Sequence, residues 1–319
     1  MEVINVKPDP IMHLNIVICT HNRSPLLKLT LDSLNQSKRP NNINLNILVI
    51  ANACSDNTLS LLAEYQEQSC NNKNLLPVEY EAEPKIGKSN ALNRAISSID
   101  HGFICFVDDD HRVDKYFLCS IKDALQKYPD TRIFCGQIIP DWTGAEPQWV
   151  HDTGIHKIYP LPIPHFELGP HPTSIDRNSK IPGGGNLIVH SAIFDQLGGF
   201  SPDLGPKGHD LLGSEDSDFI LRALDAGERI LYVPGIVQYH FVDQERLRLN
   251  YLLKKSFQRS RSITLAHNPS AQSVPRYLWR KLFNYAIGII FSLNISKIRF
   301  YLMRFSATLG EIIGTKESI

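Results

Sequence analysis

The chain has 319 residues, 42% of them hydrophobic and 21% charged, with a formal net charge of zero. That composition is typical of a soluble globular protein with a substantial core, in one large domain or two smaller ones. No basic-then-apolar signal peptide opens the chain. The longest uncharged segment of the tail, Leu282–Ser296, is too short and too polar to predict a membrane span.

Charge is unevenly distributed along the chain. Residues 1–243 carry 20 Lys and Arg against 30 Asp and Glu, whereas residues 244–319 carry 13 against 3. A basic tail of this kind indicates an anionic partner, either a membrane surface or a nucleic acid.

The six cysteines indicate a reducing compartment. They form no CxxC pair, and three of them lie in predicted buried strands. We therefore interpret them as reduced core residues of a cytosolic protein.

The first half of the chain alternates predicted strands and helices. Residues 1–13, with three charges and two prolines, are expected to be a loose leader. Three strand–helix repeats then predict parallel strands joined by right-handed crossovers, and hence an α/β nucleotide-binding half-domain. Neither the dinucleotide nor the P-loop glycine fingerprint follows the first strand. The predicted strands are Leu14–Cys19, Leu45–Ala51, Pro77–Ala82 and Phe103–Val107, with helices starting at Ser24, after the polar cluster 52–58 and at Gly87.

The second half is predicted to add further strands and helices around two long loops. The segment 140–182, rich in Pro, Gly and His, is long for a connection inside a compact protein and is typical of a functional or mobile loop. The segment 198–213 is a glycine-rich loop, and Ser214 is the predicted N-cap of the helix that follows. The other predicted elements are helices 114–127 and 191–197, strands 131–139, 184–189, 229–233 and 236–239, and C-terminal helices with a break near Asn268-Pro269.

The fourth predicted strand ends in three adjacent carboxylates, Asp108–Asp110. Adjacent carboxylates repel one another and are costly to bring together at the edge of a core unless they share a cation. Oxygen ligands at a strand end suit Mg²⁺ or Mn²⁺ bound together with the phosphates of a substrate. In open α/β sheets, ligands lie outside the carboxyl ends of the strands. The alternative is a solvated acidic turn.

Four polar clusters lie at predicted strand ends or helix starts, at 20–23, 52–58, 108–111 and 214–218. In order and spacing the chain resembles the family 2 glycosyltransferases over about Asn15 to Ser262. The resemblance implies an α/β, GT-A-like nucleotide-binding fold with a mostly parallel central sheet flanked by helices, plus C-terminal helices. The motifs that carry the resemblance are Ile18–Arg23, Asn52–Asp56, Gly87–Asn93, the D-x-D-like Asp108–Asp110, Gly184–Asn186, Gly198–Phe200 and Glu215-Asp216.

The resemblance also implies a domain organisation, with donor binding and acceptor binding in successive parts of the chain. Residues 14–130 would form the nucleotide-sugar-binding half of a single domain, and residues 131–243 its acceptor-binding and catalytic half. Residues 244–319 would form a basic, partly apolar helical region.

A divalent ion, Mn²⁺ or Mg²⁺, is the cofactor that the resemblance implies. Asp110, together with Asp108, would anchor it against the donor diphosphate, where it offsets charge on the leaving group. His240, at a predicted strand end, would be a further ligand. A lone histidine is equally consistent with a surface or core role. The same alternative applies to His111.

The reaction implied is an inverting transfer of one hexosyl or N-acetylhexosaminyl group to an acceptor hydroxyl. Inversion needs one base on the face opposite the leaving group. Asp216 is the predicted base and Glu215 the second choice, since a carboxylate near a helix start is held ionised by the exposed amides. The alternative is that these acids only cap the helix.

The remaining predicted contacts are with the donor and the acceptor. Lys88 can reach a phosphate as a point charge, although an exposed helical lysine is equally consistent. The two tryptophans can stack on an acceptor sugar or pack in the core. The predicted nucleotide-binding residues are Thr20, Asn22, Arg23, Asn52, Asp56, Lys88, Asp108 and Asp109. The predicted acceptor residues are Trp142, Trp149, Gly184, Gly185 and Asn186.

Two departures from the family pattern bear on substrate. Many members have Asp where this chain has Asn52, and an amide weakens the choice between uracil and guanine; a UDP-sugar is favoured and a GDP-sugar stays open. Processive synthases carry Q-x-x-R-W, but Gln258–Ser262 ends in serine. With no predicted transmembrane bundle, this favours transfer of a single sugar to a saccharide or lipid-linked acceptor.

The basic tail interleaves cations with aromatic and aliphatic residues, a pattern typical of an interfacial helix on anionic lipid. We therefore predict a cytoplasmic protein, peripheral on the inner face of the plasma membrane, in envelope or polysaccharide biosynthesis, with no nucleic-acid partner. The alternative is that these helices only complete the core. The residues are Arg246, Arg248, Lys254, Lys255, Arg259, Arg261, Arg276, Arg280 and Lys281, with Tyr277, Trp279, Phe283, Ile287 and Ile290.

Two other functions compete with sugar transfer. A nucleotidyltransferase that makes nucleotide sugars would also pair an α/β fold with acidic metal ligands, but Thr20–Arg23 has no glycine-rich phosphate loop. An inactive nucleotide-sugar-binding or membrane-docking module is the second competitor. Retention of Asp108, Asp110 and Glu215-Asp216 speaks against such decay.

Overall fold

The computed structural model describes residues 12–158, 161, 163–202, 215–267 and 273–317. The chain forms two compact units: one runs to Asp141 and resumes over His165–Phe241, and the other comprises Trp142–Pro164 and residues 242–319. Several features predicted from sequence lie mainly or wholly outside the described residues. These are the leader 1–13, most of the loop 198–213, the helix cap at Ser214 and the break at Asn268-Pro269.

The first unit is a nine-stranded sheet with helices on both faces. A helix begins near each position where the sequence analysis predicted one. In chain order the elements are β1 (Met12–Thr20), α1 (Ser24–Gln36), β2 (Ile43–Asn52), α2 (Thr58–Asn71), β3 (Val78–Glu83), α3 (Lys88–Ser97), β4 (Phe103–Phe106), β5 (His111–Val113), α4 (Phe117–Lys127), β6 (Ile133–Asp141), β7 (Thr173–Ile175), β8 (Leu187–His190), α5 (Ala192–Leu197), α6 (Glu215–Asp225) and β9 (Ile230–Phe241).

The first four strands are parallel and lie in the order β3-β2-β1-β4, as the repeated strand–helix pattern predicts. Thr20 of β1 lies opposite Ala51 of β2, and Val17 lies opposite Phe106 of β4. The carboxyl ends of these strands therefore meet at one edge of the sheet. β8 joins this half antiparallel to β4 and leads on to β6, β9 and β5.

β1 and β2 are apolar on both faces because helices cover both faces of the sheet. Ile16 and Ile18 belong to the core layer that contains Leu31 of α1, whereas Val17 belongs to the layer that contains Ala91 of α3. Burial of a leucine such as Leu31, which is fully inaccessible, stabilises the fold by about 2 kcal/mol. The helices thus hold the sheet edge in place from both sides.

The strand β5, directly after the acidic corner, was missed by the sequence analysis. It has three residues, too few to show a period. β5 pairs antiparallel with β9, which sets His111 opposite His240.

β9 is one strand where the sequence analysis predicted two, because Pro234-Gly235 resembles a turn. The neighbouring strand β6 is irregular at Gly136, where the register with β9 shifts. A Cβ on Gly136 would lie 2.0 Å from the Ile236 carbonyl oxygen, so only glycine allows β9 to pass here. Pro234 of β9 lies at this irregularity, where its backbone nitrogen is not required to donate a hydrogen bond to the neighbouring strand.

Two smaller predictions need the same kind of correction. Residues 184–186, predicted as the start of a strand, form a single 3₁₀ turn that leads into β8. The segment 140–182, predicted as irregular, contains the short strand β7, which pairs with β9.

The second unit contains α7 (Leu249–His267), α8 (Arg276–Phe291) and α9 (Ile295–Glu317) together with the segment 142–164. Glycines let α7 and α9 approach closely: a Cβ on Gly310 would lie 2.2 Å from the Phe257 carbonyl oxygen, and one on Gly314 would lie 2.7 Å from that of Arg261. Within the described ranges, no helix combines the length and apolar character needed to cross a bilayer.

Candidate active site

The three carboxylates of the acidic corner, Asp108–Asp110, have different partners. Lys88 Nζ donates to Asp108 Oδ1 over 2.8 Å. Thr20 Oγ1 donates to Asp109 Oδ2 over 2.8 Å. Arg23 Nη1 lies between two carboxylates, at 3.1 Å from Asp109 Oδ1 and 3.0 Å from Asp110 Oδ2. The corner thus combines three carboxylates with two cations, and a further cation would be attracted to it.

The pKa values of the corner reflect burial opposed by these ion pairs. Burial raises the pKa of Asp109 to about 6, against the opposing effect of the Arg23 guanidinium. Burial alone would also raise the pKa of Asp108, but the Lys88 ammonium, together with His111 and His240, holds the pKa below its usual range. Burial alone would lower the pKa of Lys88, but the Asp108 and Asp216 carboxylates raise it well above its usual value. Lys88 therefore stays charged under the influence of both carboxylates.

Two histidines present their Nε2 atoms toward Asp110. His111 Nδ1 lies 2.6 Å from Gln238 Oε1, and His240 Nδ1 lies 2.6 Å from the Phe241 carbonyl oxygen. Both oxygens only accept hydrogen bonds, so Nδ1 of each ring donates, and Nε2 is the nitrogen that carries the lone pair in the neutral imidazole. His240 Nε2 lies 3.6 Å, and His111 Nε2 3.9 Å, from an Asp110 oxygen.

These side chains fit a divalent metal ion. One ligand atom from each of Asp110, His111 and His240 lies within 4.8 Å of the others. His111 Nε2 is buried and has no hydrogen-bond partner among the described residues, which leaves its lone pair available. Burial lowers the pKa of His240, and a neutral imidazole is the form that binds a metal. Asp108, the other predicted metal ligand, has an oxygen 3.9 Å from His111 Nε2.

A buried amide network fixes the orientation of His111. Gln238, which accepts from His111, donates through Nε2 to the Phe106 carbonyl at 3.2 Å and to Asn186 Oδ1 at 3.0 Å. Asn186 donates in turn to the carbonyl oxygens of Gln137 and Ile236. Asn186, predicted to contact the acceptor, therefore connects β6 to β9 and, through Gln238, supports His111.

The turn Gly184-Gly185 brings α6 beside the acidic corner. A Cβ on Gly184 would lie 2.2 Å from Asp216 Oδ1, and one on Gly185 would lie 2.4 Å from Asp108 Oδ2. Any side chain at either position would displace one of these carboxylates. Asp216 Oδ1 is buried, and the described part of the chain offers it no hydrogen-bond partner. Glu215, the second predicted catalytic residue, is 2% exposed.

Whereas Thr20 and Arg23 bond to the acidic corner, Asn22 and Asp56 join the loops 20–23 and 52–58 to each other and to the helix starts. Asn22, in the left-handed region with φ 54°, accepts through Oδ1 from the backbone amides of Ser55 and Asp56. Asp56 accepts from Thr58 at the start of α2 and from the Ser24 amide at the start of α1. Although partial burial alone would raise it, these hydrogen bonds lower the pKa of Asp56.

Asn52 is committed to the loop that precedes α3. Its Nδ2 donates to the carbonyl oxygens of Glu83 and Lys85, and its Oδ1 accepts from the Gly87 amide. These bonds use both hydrogens of Nδ2 and one lone pair of Oδ1, and a contact between Asn52 and a base stays a prediction.

Asn93 plays a similar connecting role for the second glycine motif. It accepts from the Phe200 amide and donates to the Phe200 carbonyl oxygen. A Cβ on Gly199 would lie 2.2 Å from Asn93 Oδ1, so the glycine allows α3 to hold this loop.

Trp142 and Trp149 belong to the second unit. Both are half-buried and pack against a small apolar cluster that includes Val150 and Val242. The Trp149 ring also lies 5.0 Å from the Arg299 guanidinium carbon. Packing within the protein thus covers part of the surface of each ring, and stacking of these rings on an acceptor sugar stays a prediction.

Two residues near the acidic corner, His111 and Gln238, were not among the site residues predicted from the sequence. A histidine that directly follows three aspartates, with another histidine at a later strand end, is a signal that could have identified the pair. Gln238 carries no such signal, because one polar residue between Val237 and Tyr239 in a strand is expected to face outward. Only the pairing of β5 with β9 shows that it faces the site.

Comparison with curated proteins finds two distant relatives. Glucosyl-dolichyl phosphate glucuronosyltransferase of Haloferax volcanii is 21% identical over 155 residues, which is 48% of this chain and only about half, 47%, of that protein. Succinoglycan biosynthesis protein ExoM of Rhizobium meliloti is 23% identical over 252 residues, 78% of this chain and 74% of that protein.

Solved structures share the fold. TarS of S. aureus, solved in complex with UDP, aligns with a TM-score of 0.55 and 17% identity over 96% of this chain and 91% of the other. The mannosyltransferase PcManGT of Pyrobaculum calidifontis, solved with GDP-Man and Mn²⁺, aligns with a TM-score of 0.52 and 16% identity over 98% and 76%. These similarities confirm the predicted GT-A fold.

The family model described as Glycosyl transferase family 2 matches residues 15–195, more than half of the chain and the part that contains β1 to β8 and the acidic corner. The match confirms the family predicted from the motifs. The chain therefore belongs to glycosyl transferase family 2.

Proposed function

We propose that this protein transfers one sugar from a nucleoside diphosphate sugar to an acceptor hydroxyl with inversion at the anomeric carbon. The observation that carries the proposal is a pair of buried atoms, Asp216 Oδ1 and His111 Nε2, that have no hydrogen-bond partner among the described residues. The turn Gly184-Gly185 touches both Asp216 and the acidic corner. Buried polar atoms without hydrogen-bond partners destabilise a fold. A bound ligand that forms bonds with these two atoms would offset that destabilisation.

Metal binding is the first part of the proposal. Asp110, His111 and His240 would hold the ion, with Asp108 beside them, and two imidazole ligands favour Mn²⁺ over Mg²⁺. When bound, the ion supplies positive charge that offsets the charge of the departing nucleoside diphosphate. Gln238 would act as a positioning residue, because its amide oxygen holds the proton of His111 on Nδ1.

Asp216 is the proposed base. As the acceptor oxygen bonds to the anomeric carbon, its proton would pass to the Asp216 carboxylate. The bond from that carbon to the diphosphate breaks at the same time, and its electron pair leaves with the nucleoside diphosphate. Against the effect of burial, the Asp108 and Asp216 carboxylates raise the pKa of Lys88 well above its usual value, and the charge of this lysine would favour a diphosphate beside the base.

Residues 14–130 are the proposed donor half and residues 131–243 the acceptor half. TarS was solved with UDP and PcManGT with GDP-Man, so UDP-sugars and then GDP-sugars are the donors to test. Arg23 and Lys88 carry the charges that would face the diphosphate, since both lie on the acidic corner.

The proposed acceptor is a saccharide or a lipid-linked saccharide. Support comes from the curated relatives, one named for glucosyl-dolichyl phosphate and the other for succinoglycan biosynthesis. An acceptor on a lipid carrier would place the enzyme at the cytoplasmic surface of a membrane, in envelope or polysaccharide biosynthesis.

A donor panel tests the proposal. The protein is incubated with Mn²⁺, UDP-glucose, UDP-N-acetylglucosamine or GDP-mannose and simple glycoside or lipid-linked acceptors, and released nucleoside diphosphate is measured with and without a chelator. We expect metal-dependent release from one donor class, and proton NMR of the product should show the inverted anomer. Pyrophosphate release from a nucleoside triphosphate and a sugar phosphate would instead identify a nucleotidyltransferase. A product that retains the donor's configuration would contradict the role of Asp216.

A further inference from the structure

The helix α8 and the turn after it present a large exposed apolar surface. Of the sixteen large hydrophobic side chains that are exposed in the described part of the chain, eight lie between Tyr277 and Ile295. Phe283, Ile290 and Phe291 are 67%, 73% and 77% exposed. Contiguous apolar patches of this kind are rare on monomeric soluble proteins and mark interaction sites.

This surface is not the face that closes the unit's own core. The opposite side of α8 already packs on α9: a Cβ on Gly288 would lie 2.8 Å from the Tyr301 ring, and Tyr285 lies with its ring centre 6.3 Å from that of Tyr301. Lys281 Nζ also pairs with Glu311 over 3.2 Å. The helix therefore buries one face within the unit and exposes the other.

The exposed side chains follow the helical period, and their character changes along it. Positions 276, 280, 283, 287 and 290 recur every three or four residues, so they lie on one face. The first two, Arg276 and Arg280, are basic and exposed, and the last three are apolar. The apolar end continues through Phe291 into Leu293 and Ile295.

Charge selects the kind of partner. Between Glu245 and Glu311 the sequence contains twelve Lys and Arg and no Asp or Glu. A second copy of the same face would bring Arg276 and Arg280 toward like charges in a region without acidic residues, and an apolar protein groove would leave these two arginines unpaired. An anionic lipid surface satisfies both properties at once, because it offers acyl chains to the apolar end and phosphate groups to the arginines.

We infer that the exposed face of α8, with residues 292–295, docks the protein on anionic lipid bilayers. The 16-residue helix is about 24 Å long and lies in the plane of the interface rather than across it. Arg276 and Arg280 contact lipid phosphates, while Phe283, Ile290 and Phe291 enter the boundary of the acyl chains. The inference stands on this surface alone and is independent of the donor chemistry proposed above.

Vesicle flotation of the full chain tests the inference. The probes are vesicles of phosphatidylcholine alone and vesicles that also contain phosphatidylglycerol, at low and high salt. We expect the wild-type protein to float with the anionic vesicles and to dissociate as salt rises. Ile290→Ser with Phe291→Ser should weaken binding about tenfold or more. Arg276→Gln with Arg280→Gln should remove the preference for anionic lipid.

The control is Leu29→Ser, which removes an exposed leucine of the first unit, 59% accessible, and should bind vesicles as the wild type does. All variants change exposed side chains, and thermal melts check that each remains folded. Failure of the wild type to float, or flotation that the Ile290 and Phe291 substitutions leave unchanged, would overturn the inference. Light scattering that shows a dimer lost in the same variant would assign the face to a second copy instead. Nucleoside diphosphate release is a separate readout that none of these outcomes depends on.

Discussion

The polar loops 20–23 and 52–58 and the acidic corner with α6 lie at the same sheet edge, but they differ in how their polar atoms are partnered. In the loops, Asn22, Asn52 and Asp56 use their side chains on backbone groups of the chain itself. At the corner, His111 Nε2 and Asp216 Oδ1 are buried, and no described residue bonds to them. The loops are therefore built to hold a shape, and the corner to receive a ligand.

The largest expected effect comes from Asp216→Asn. The amide keeps the shape of the side chain but cannot accept a proton as a base, so sugar transfer should fall by about 10³-fold. The measurement is the turnover number in the donor assay, with Mn²⁺ affinity as a second readout that should stay unchanged. Asp218→Asn on the same helix, which loses only a half-exposed pair with Arg222, is the matched control. Equal activity in the two variants would exclude Asp216 as the base.

His111→Ala comes next, because it removes one of three converging ligand atoms. We expect Mn²⁺ affinity to fall by about 100-fold, measured by electron paramagnetic resonance of free Mn²⁺ or by calorimetry without donor. His101→Ala changes an exposed histidine away from the site and should bind Mn²⁺ as the wild type does. Unchanged affinity in His111→Ala would show that His111 is not a ligand of the ion.

A smaller effect is expected from Gln238→Leu. The substitution removes the oxygen that holds the proton on His111 Nδ1, so Mn²⁺ affinity should fall by about tenfold. Gln238→Glu keeps an acceptor at that position and should retain the affinity. If Gln238 had only a structural role, both variants would have a lower melting temperature but the same Mn²⁺ affinity as each other. Gln68→Leu on the surface of α2 controls for the added leucine.

The smallest expected effect tests the loops. Asn22→Ala removes the acceptor of the Ser55 and Asp56 amides, so the free energy of unfolding should fall by about 1 kcal/mol. Chemical denaturation measures it, with Asn71→Ala at the exposed end of α2 as control. Mn²⁺ affinity should not change. A loss of Mn²⁺ binding in Asn22→Ala would mean that the loops and the corner are not separable in function.

Local patterns in the sequence were sufficient for the parallel half of the sheet. Runs such as Asn15–Cys19 and Leu45–Ala51 are apolar and short, and each is followed by polar residues and a helix, so order and direction followed from crossover geometry. The acidic corner was predictable for the same reason. The chemistry of Asp108–Asp110 is carried by adjacent residues at a strand end.

Contacts between distant segments were not predictable in this way. His111 and Gln238 are 127 residues apart, and their contact depends on the three-residue strand β5, which leaves no period in the sequence. Asn52 and Asn186 were predicted to touch ligands because their motifs resemble those of the family. Their side chains bond to backbone groups of residues 83–87 and of β6 and β9, contacts between distant segments that no local pattern predicts.

The sequence by itself determined the repeated strand–helix order, the place of the carboxylates and the excess of basic residues in the tail, since each depends on neighbouring residues. Only the tertiary structure decided which polar atoms remain without a partner and which face of α8 remains exposed. The reason is physical: burial and hydrogen bonding are sums over segments far apart in the chain, and they exist only once those segments have packed together.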